Sequence, residues 1–363
     1  MIAKRQPWWP WAGVSLALAA GLATALRPRP EWSLGGQVAV VTGGSRGLGL
    51  LLARELGREG CQLAICARDD DELARARGDL EARGITVHAV RCDVADRRDV
   101  ERFAAEVVRR FGGIDVLVNN AGIIKVGPAR SMTVEDYEEA LRVNFWGMVY
   151  PTLAMLPVMQ AQGGARIVNI TSIGAKVSLP HLLPYTCAKF AALAFSQGLR
   201  AELAADGIQV VTVVPGLMRT GSYLNAVFKG DARAESVWFA LGATLPGISM
   251  DAERAARQIV HAAKRGDAEV ILSVPARLLA RVQAIFPGFT TEALRLVNEL
   301  VLPTARGDTE NAARGHEAIG RGGSSMLRTL TRLGRSAADR FGQHPGPRLP
   351  ANGRPQAPRR AAR

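Results

Sequence analysis

The chain has 363 residues, of which 48% are hydrophobic, enough for a large core around one α/β domain with extensions. The formal net charge is +13, but residues 304–363 alone contain twelve Arg against four acidic residues, so most of the excess lies in a tail. No pattern of basic and aromatic residues typical of a nucleic-acid-binding motif accompanies it, and the four cysteines and five histidines are scattered. We therefore predict no nucleic-acid partner, no metal site and no disulfide framework.

The N-terminal segment, residues 1–30, contains an uncharged run from residue 6 to residue 26. A helix of roughly 20 apolar residues spans a bilayer, and Trp8, Trp9 and Trp11 suit its interface. We predict a single-pass membrane anchor, with the catalytic domain on the cytoplasmic side, although basic residues close both ends of the run. A cleaved signal peptide and a helix packed on the domain are the alternatives.

Residues 36–275 alternate short apolar, β-branched runs with helix-like segments. Strands buried on both faces and separated by helices form parallel sheets. We predict an α/β fold, a Rossmann-type doubly wound sheet of about seven parallel strands with helices on both faces. The candidate strands read QVAVVTGG, CQLAICAR, TVHAVRCDV, IDVLVNN, RIVNIT, IQVVTVVPG and AEVILS.

The alternation ends after this domain. Residues 276–303 predict two apolar helices separated by Pro287 and Gly288. Residues 304–363, rich in Arg, Gly and Pro, predict a basic and mostly disordered tail. Within it, residues 326–341 could form a basic amphipathic helix on a membrane surface or a solvated tail.

A glycine-rich turn, TGGSRGLG, lies between the first predicted strand and the first long helix. Glycines let the backbone approach a pyrophosphate closely, and the free N–H groups of the following helix attract phosphate. We predict a dinucleotide site made by Thr42, Gly43, Ser45, Arg46, Gly47, Leu48 and Gly49.

The end of the second strand indicates which dinucleotide binds. An acid there accepts from a ribose hydroxyl, whereas arginine suits the 2′-phosphate of NADP. Arg68 ends this strand and Arg46 lies in the glycine turn, so we predict NADP(H) over NAD(H). In the alternative, Asp69 is the ribose acid and Arg68 is solvated.

Further motifs follow in a fixed order. They are CDV at 92–94, NNAG at 119–122, Asn144 in RVNFWG, Ser172 in NITSIG, YTCAK at 185–189, and Pro215-Gly216 followed by Thr220. Together with the glycine turn, they resemble the short-chain dehydrogenase/reductase family over residues 36–273. The resemblance implies an enzyme that interconverts a carbonyl and an alcohol with a nicotinamide cofactor. A membrane-associated NADP(H) sensor or scaffold with little turnover is the alternative function.

The chemistry centres on Tyr185 and Lys189, which lie four residues apart on one helical face. Tyrosine can donate a proton to a carbonyl oxygen, and we expect the nearby ammonium to lower its pKa. The resemblance implies that Lys189 also binds the nicotinamide ribose, that Ser172 orients the substrate oxygen, and that Asn144 holds a water for proton exchange. These four residues are the predicted catalytic set.

The resemblance also assigns cofactor contacts elsewhere in the chain. Asp93 and Val94 are expected to flank the adenine. The adenosine side of the cleft is expected to include Asn119, Ala121 and Gly122. The nicotinamide end is expected to include Tyr185, Lys189, Pro215, Gly216, Met218 and Thr220.

Two segments, 176–184 and 217–245, are expected to line the substrate cleft. Their apolar residues are Val177, Leu179, Leu182, Leu183, Leu217, Met218, Tyr223, Val227, Phe228, Trp238 and Phe239. They predict a small lipophilic carbonyl or alcohol as substrate, with core packing or a subunit interface as the alternative. Members of the family often form homo-oligomers, dimers or tetramers, through the helices around Asn144 and Tyr185, but the apolar C-terminal helices and the anchor leave the oligomeric state open.

Overall fold

The computed structural model describes residues 31–303, 312–319 and 331–343. The predicted membrane anchor lies outside these residues. Within them, no helix is both long enough and apolar enough to cross a bilayer.

A seven-stranded sheet forms the centre of the molecule, and all of its strands are parallel. The strands are β1 Val38–Thr42, β2 Gln62–Ala67, β3 Val87–Arg91, β4 Val116–Asn119, β5 Ala165–Ile170, β6 Ile208–Pro215 and β7 Glu269–Leu272. Their spatial order is β7-β6-β5-β4-β1-β2-β3, so successive strands are added on one side of β1 up to β3 and on its other side from β4 onward. The predicted fold is confirmed, and each of the seven candidate strands forms one strand of the sheet.

Twelve helices lie in the described part of the chain. They are α1 Gly47–Arg58, α2 Asp70–Glu81, α3 Arg97–Phe111, α4 Val134–Leu141, α5 Gly147–Ala161, α6 Leu183–Glu202, α7 Ala232–Thr244, α8 Ala252–Arg265, α9 Val274–Ile285, α10 Pro287–Leu300, α11 Gly315–Ile319 and α12 Arg332–Arg340. Short strand pairs join residues 125–126, 227–228 and 313–314, and residues 218–219 with 250–251.

The helices cover both faces of the sheet because each presents an apolar stripe to it. Helices α1, α2 and α8 pack on one face, where Leu52 and Ile259 are buried among β-strand side chains. Helices α3, α5 and α6 pack on the other face, around Phe103 and Met155. Two hydrophobic cores therefore hold the sheet rigid between them, and its carboxyl edge can position polar groups precisely.

The C-terminal segments differ from the sequence expectation. Residues 312–319 and 331–343 lie within the predicted tail, yet they form α11, α12 and a short strand packed on the domain. Phe341 and Ala337 are buried in the same core as α1. These two segments of the mostly disordered tail are therefore ordered, because a few apolar contacts far apart in sequence anchor them, and α12 lies within the possible helix at residues 326–341.

Candidate active site

The carboxyl edge of the sheet opens into one cavity of about 730 Å³. This volume lies within the range typical of small-molecule sites, and the edge where strand order reverses is where α/β folds bind their ligands. The cavity is lined by every predicted site residue except Thr42, Gly47 and Asn119. The structure thus brings residues from seven separate sequence motifs to one place.

Ser172, Tyr185 and Lys189 form a compact cluster in this cavity. Ser172 follows β5, where its hydroxyl accepts a 3.0 Å hydrogen bond from the N–H of Gly174. The same hydroxyl stabilises the ionised form of Tyr185, which lies in the first turn of α6, and so acts to lower the pKa of that tyrosine. The Lys189 ammonium, one turn later, lies 5.8 Å from the centre of the Tyr185 ring.

Lys189 is 4% exposed, although it carries an ammonium group. Its Nζ donates to the carbonyl oxygen of Ile170 at 3.0 Å. Burial lowers its pKa to about 8, because the apolar surroundings disfavour the charged form. A group that titrates near neutral pH can exchange protons during turnover.

The pKa of Tyr185 departs from the sequence expectation. Burial raises this pKa, and the hydrogen bond with Ser172 opposes the rise without reversing it. The Lys189 ammonium was expected to lower the tyrosine pKa. In the structure it donates to the Ile170 carbonyl, and the desolvation of Tyr185 dominates. Tyr185 is therefore held in its neutral, proton-donating form.

Asn144 sits in a π-helical turn, residues 142–146, between α4 and α5. Such turns re-aim a side chain and are frequent at functional sites. Its amide is locked by two 3.1 Å hydrogen bonds, one to the N–H and one to the carbonyl of Ile123. A Cβ at Gly122 would lie 2.7 Å from Oδ1 of Asn144 and 3.7 Å from Nζ of Lys189, so glycine permits this close packing.

The glycine turn is braced by Thr42 and Asn120. The Thr42 hydroxyl accepts from the N–H of Asn120 at 3.0 Å, and the Asn120 side chain donates to the carbonyls of Thr42 and Gly43 at 3.0 and 3.2 Å. A Cβ at Gly49 would lie 2.0 Å from the Gly43 carbonyl oxygen. Thr42 therefore stabilises the turn through its hydrogen bond with Asn120 and does not line the cavity. Gly47, with φ +56, forms the left-handed bend of the turn.

Asn119 does not line the cavity, which corrects its predicted place on the adenosine side. It is 2% exposed and donates 2.9 Å hydrogen bonds to Thr152 and Asn169 on neighbouring elements. Successive residues of a strand point to opposite faces, so only one residue of the NN pair can face the cleft. Asn120 is that residue, and sequence alone could not distinguish the two.

The adenosine end of the cavity, the end beside the glycine turn where a dinucleotide's adenosine is expected, contains an ion pair that the sequence does not predict. The Arg46 guanidinium lies 2.8 Å from the Glu72 carboxylate and also donates to Oδ1 of Asn225 at 3.0 Å. The Ser45 hydroxyl donates to Glu72 at 3.0 Å. Asp69 caps α2 by accepting from the N–H of Glu72 at 2.9 Å, so the proposed ribose acid already has a structural role.

The opposite end of the cavity is apolar. The predicted lining residues found there are Leu179, Leu182, Leu217, Met218, Trp238 and Phe239. The other predicted lining residues do not line the cavity. Three of them are buried in the core, which agrees with the alternative of core packing: Val177, Tyr223 and Phe228. Leu183 and Val227 lie outside the cavity lining. Helices α9 and α10 and the residues after them add Leu279, Leu294, Val297 and Leu302 to the wall.

Comparisons with known proteins agree with this geometry. A family model described as short chain dehydrogenase matches residues 37–227. Dehydrogenase/reductase SDR family protein 7-like of Anopheles gambiae is 37% identical over 231 residues, 61% of this chain and 73% of that protein. Dehydrogenase/reductase SDR family member 4 of Oryctolagus cuniculus is 34% identical over 205 residues, 56% of this chain and 78% of that protein. A solved variant of actinorhodin polyketide ketoreductase with NADPH superposes with a TM-score of 0.58 at 29% identity, covering 66% of this chain and 97% of that one.

Proposed function

The chain belongs to the short-chain dehydrogenase/reductase family, and from that premise we propose that it uses NADP(H) to interconvert a lipophilic carbonyl compound and its alcohol. It is an NAD(P)-dependent oxidoreductase. The observation that carries the proposal is a single cavity with a glycine turn at one end, Ser172, Tyr185 and Lys189 in it, and an apolar wall at the other end.

The cavity fits a dinucleotide. The cavity reaches Leu48 and Gly49 in the first turn of α1, and N–H groups at a helix N-terminus attract phosphate. The N–H of Gly47 is already used, since it donates to the Phe341 carbonyl. Arg46 and Arg68 line the adenosine end, which favours a 2′-phosphate and therefore NADP(H). NADPH in the actinorhodin ketoreductase structure is consistent with this preference. When bound, the nicotinamide supplies or accepts the hydride.

The chain's own residues handle the proton. Neutral Tyr185 can donate its hydroxyl proton to a substrate oxygen, and Ser172 can donate a second hydrogen bond that orients this oxygen. Lys189, directly beside the ring, can stabilise the phenolate that remains. The same groups work in reverse for alcohol oxidation.

The apolar wall supports a lipophilic substrate. Trp238 and Phe239 from α7 face the cavity together with leucines from three other segments. Few polar groups there could satisfy the hydroxyls of a sugar, and burying them without partners would cost about 1–3 kcal/mol each.

Turnover of NADPH with a panel of carbonyl compounds tests the proposal. We expect kcat/KM to rise with chain length across a series of aliphatic ketones and to be lowest for polar sugars. Leu179→Ser should raise KM for a long-chain ketone about tenfold, because one side chain in an apolar pocket contributes about 1–3 kcal/mol. The matched control, Leu278→Ser, changes an exposed leucine outside the cavity. Exclusive turnover of sugars or polyols would refute the proposal.

Membrane association is a second part of the proposal. Helices α9 and α10 expose Ile285, Phe286, Phe289 and Leu300 to between 59% and 79% while their other side lines the cavity. Exposed apolar surface of this kind is typical of contact with lipid or protein. It supports a substrate that enters from a bilayer to which residues 1–30 anchor the chain.

Membrane fractionation of the full chain tests this anchor. Leu16→Arg with Leu18→Arg should release the protein into the wash, since each arginine at a helix centre costs about 2.5–3.5 kcal/mol. Retention of this double variant in the membrane fraction would contradict the anchor without affecting the reaction.

A further inference from the structure

The C-terminal extension reaches the adenosine end of the cofactor cavity. We propose that Arg314, which lies beyond the family match that ends at residue 227, binds the 2′-phosphate of NADP(H) together with Arg46 and Arg68. The inference rests on the proposed use of NADP(H) and adds a specificity-determining residue to it.

Backbone contacts hold Arg314 in place. Residues 313–314 pair antiparallel with residues 227–228, and Arg314 lies opposite Val227. The N–H of the next residue, Gly315, donates to the Ala226 carbonyl at 3.0 Å. The Arg314 N–H itself donates to Glu317 at 3.0 Å, which closes the turn into α11. Arg314 therefore has a fixed backbone at the edge of the cavity that its side chain lines.

The same segment holds Arg46. Asn225, two residues before Val227, accepts from the Arg46 guanidinium at 3.0 Å and donates to Gln343 at 2.7 Å. Gln343 is 6% exposed and also lines the cavity. A single cluster thus joins the glycine turn, the segment around residue 225 and two parts of the C-terminal extension.

At the adenosine end, binding of a 2′-phosphate needs a third positive charge beside Arg46 and Arg68. Arg46 and Arg68 share the adenosine end of the cavity with the carboxylates of Asp69 and Glu72, so these four side chains balance one another. A 2′-phosphate carries nearly two negative charges, and a neutral set of side chains gives it little net attraction. Arg314 adds a third positive charge to this set, which comprises the charged groups that act on Arg46; Asp93, the remaining carboxylate of the cavity lining, is not among them and is expected beside the adenine. Its guanidinium forms no hydrogen bond or ion pair with any residue that the structure describes, so it is available to a ligand.

The electrostatics of Arg46 agree with this placement. Burial lowers the pKa of Arg46, and the positive charges of Arg314 and Arg68 add to the lowering, while Glu72 opposes it. Like charges repel one another, and Glu72 offsets only part of this repulsion at Arg46. A phosphate dianion is the ligand that relieves the repulsion and gains charge-assisted hydrogen bonds.

The extension also contacts the glycine turn directly. The N–H of Gly47 donates to the Phe341 carbonyl at 2.7 Å, and Phe341 is 2% exposed. Arg54 on α1 donates to the Arg340 carbonyl. Residues 331–343 therefore brace the turn at Gly47, and the family core and the extension jointly build this end of the cavity.

Binding of 2′,5′-ADP and 5′-AMP to the full-length protein, measured by calorimetry, tests the proposal. The two nucleotides differ only in the 2′-phosphate. We expect Arg314→Ala to weaken 2′,5′-ADP binding about tenfold or more, the scale of one hydrogen bond between charged groups, and to leave 5′-AMP binding unchanged. Arg314→Lys should recover part of the loss, because it restores the charge without the fork of donors.

Arg332→Ala is the matched control. It removes the same charge from an exposed position of the extension outside the cavity and should leave both nucleotides unaffected. If Arg314→Ala behaves like Arg332→Ala, or weakens both nucleotides equally, Arg314 does not bind the 2′-phosphate. If the wild-type protein itself does not prefer 2′,5′-ADP over 5′-AMP, the proposed use of NADP(H) fails instead.

Discussion

The two ends of the cavity are built in different ways. At the catalytic end, Ser172, Tyr185 and Lys189 come from the turn after β5 and from helix α6, within 18 residues of one another in sequence. At the adenosine end, Arg46 donates hydrogen bonds to Glu72 and Asn225, and Asn225 in turn donates to Gln343 of the C-terminal extension. These residues come from parts of the chain that are far apart in sequence. Under the proposed function, local motifs therefore carry the reaction, whereas long-range contacts set the surroundings of the 2′-phosphate.

Replacing the tyrosine should separate the two ends most strongly. Tyr185→Phe removes the proton donor but leaves the ring that packs beside Lys189. General acid catalysis contributes about 10²–10⁴-fold, so kcat should fall by that factor. Binding of NADPH, followed by fluorescence titration, should stay within about twofold, because the adenosine end is untouched. Near-normal turnover would remove Tyr185 from the chemistry.

Burial of the Lys189 ammonium should lower the free energy of unfolding at neutral pH. Its pKa is lowered from 10.5 to about 8 in the folded protein, so the unfolded state binds more protons between these pH values. The free energy of unfolding should therefore rise with pH across this window, by about 3 kcal/mol from this group. Below pH 8, where Lys189 is charged in both states, the folded protein bears the full cost of burying this charge.

Urea unfolding of the wild type and Lys189→Met at pH 7 and pH 10 measures this effect. The wild type should gain stability relative to the variant as pH rises, and the variant should be inactive. The raised pKa of Tyr185 is common to both proteins and acts above pH 10, so it does not produce the difference. A parallel pH dependence in the two proteins would show that Lys189 is not desolvated.

Replacing Asn119 or Asn120 should give the smallest effects on kinetics and stability, and the two variants should show which asparagine belongs to the site and which to the core. Asn120→Ala removes the brace from the glycine turn, so KM for the cofactor should rise several-fold, up to about tenfold. Asn119→Leu removes the hydrogen bonds that Thr152 Oγ1 and Asn169 Oδ1 accept in the core, so it should cost about 1–3 kcal/mol of stability with little change in KM. Steady-state kinetics and thermal melts of both variants decide the assignment, and the reverse pattern would place Asn119 in the site.

These differences explain which features of the fold and of the site could be predicted from the sequence. The seven strands were predictable because each is an apolar run bounded by glycine or polar residues, and α6 places Tyr185 and Lys189 one turn apart by helical geometry alone. The Glu72 ion pair and the place of Asn119 depend on which way a side chain turns in three dimensions. Residues 312–319 and 331–343 are short and rich in Arg and Gly, and only their distant partners show that they fold.

The ratio of kcat/KM for NADPH to kcat/KM for NADH, measured with one lipophilic ketone, tests the account most directly. It requires the catalytic end to work and the adenosine end to recognise a phosphate. We expect NADPH to be favoured by about 100-fold, the scale of two charge-assisted hydrogen bonds. Equal or greater efficiency with NADH would contradict the account at the adenosine end.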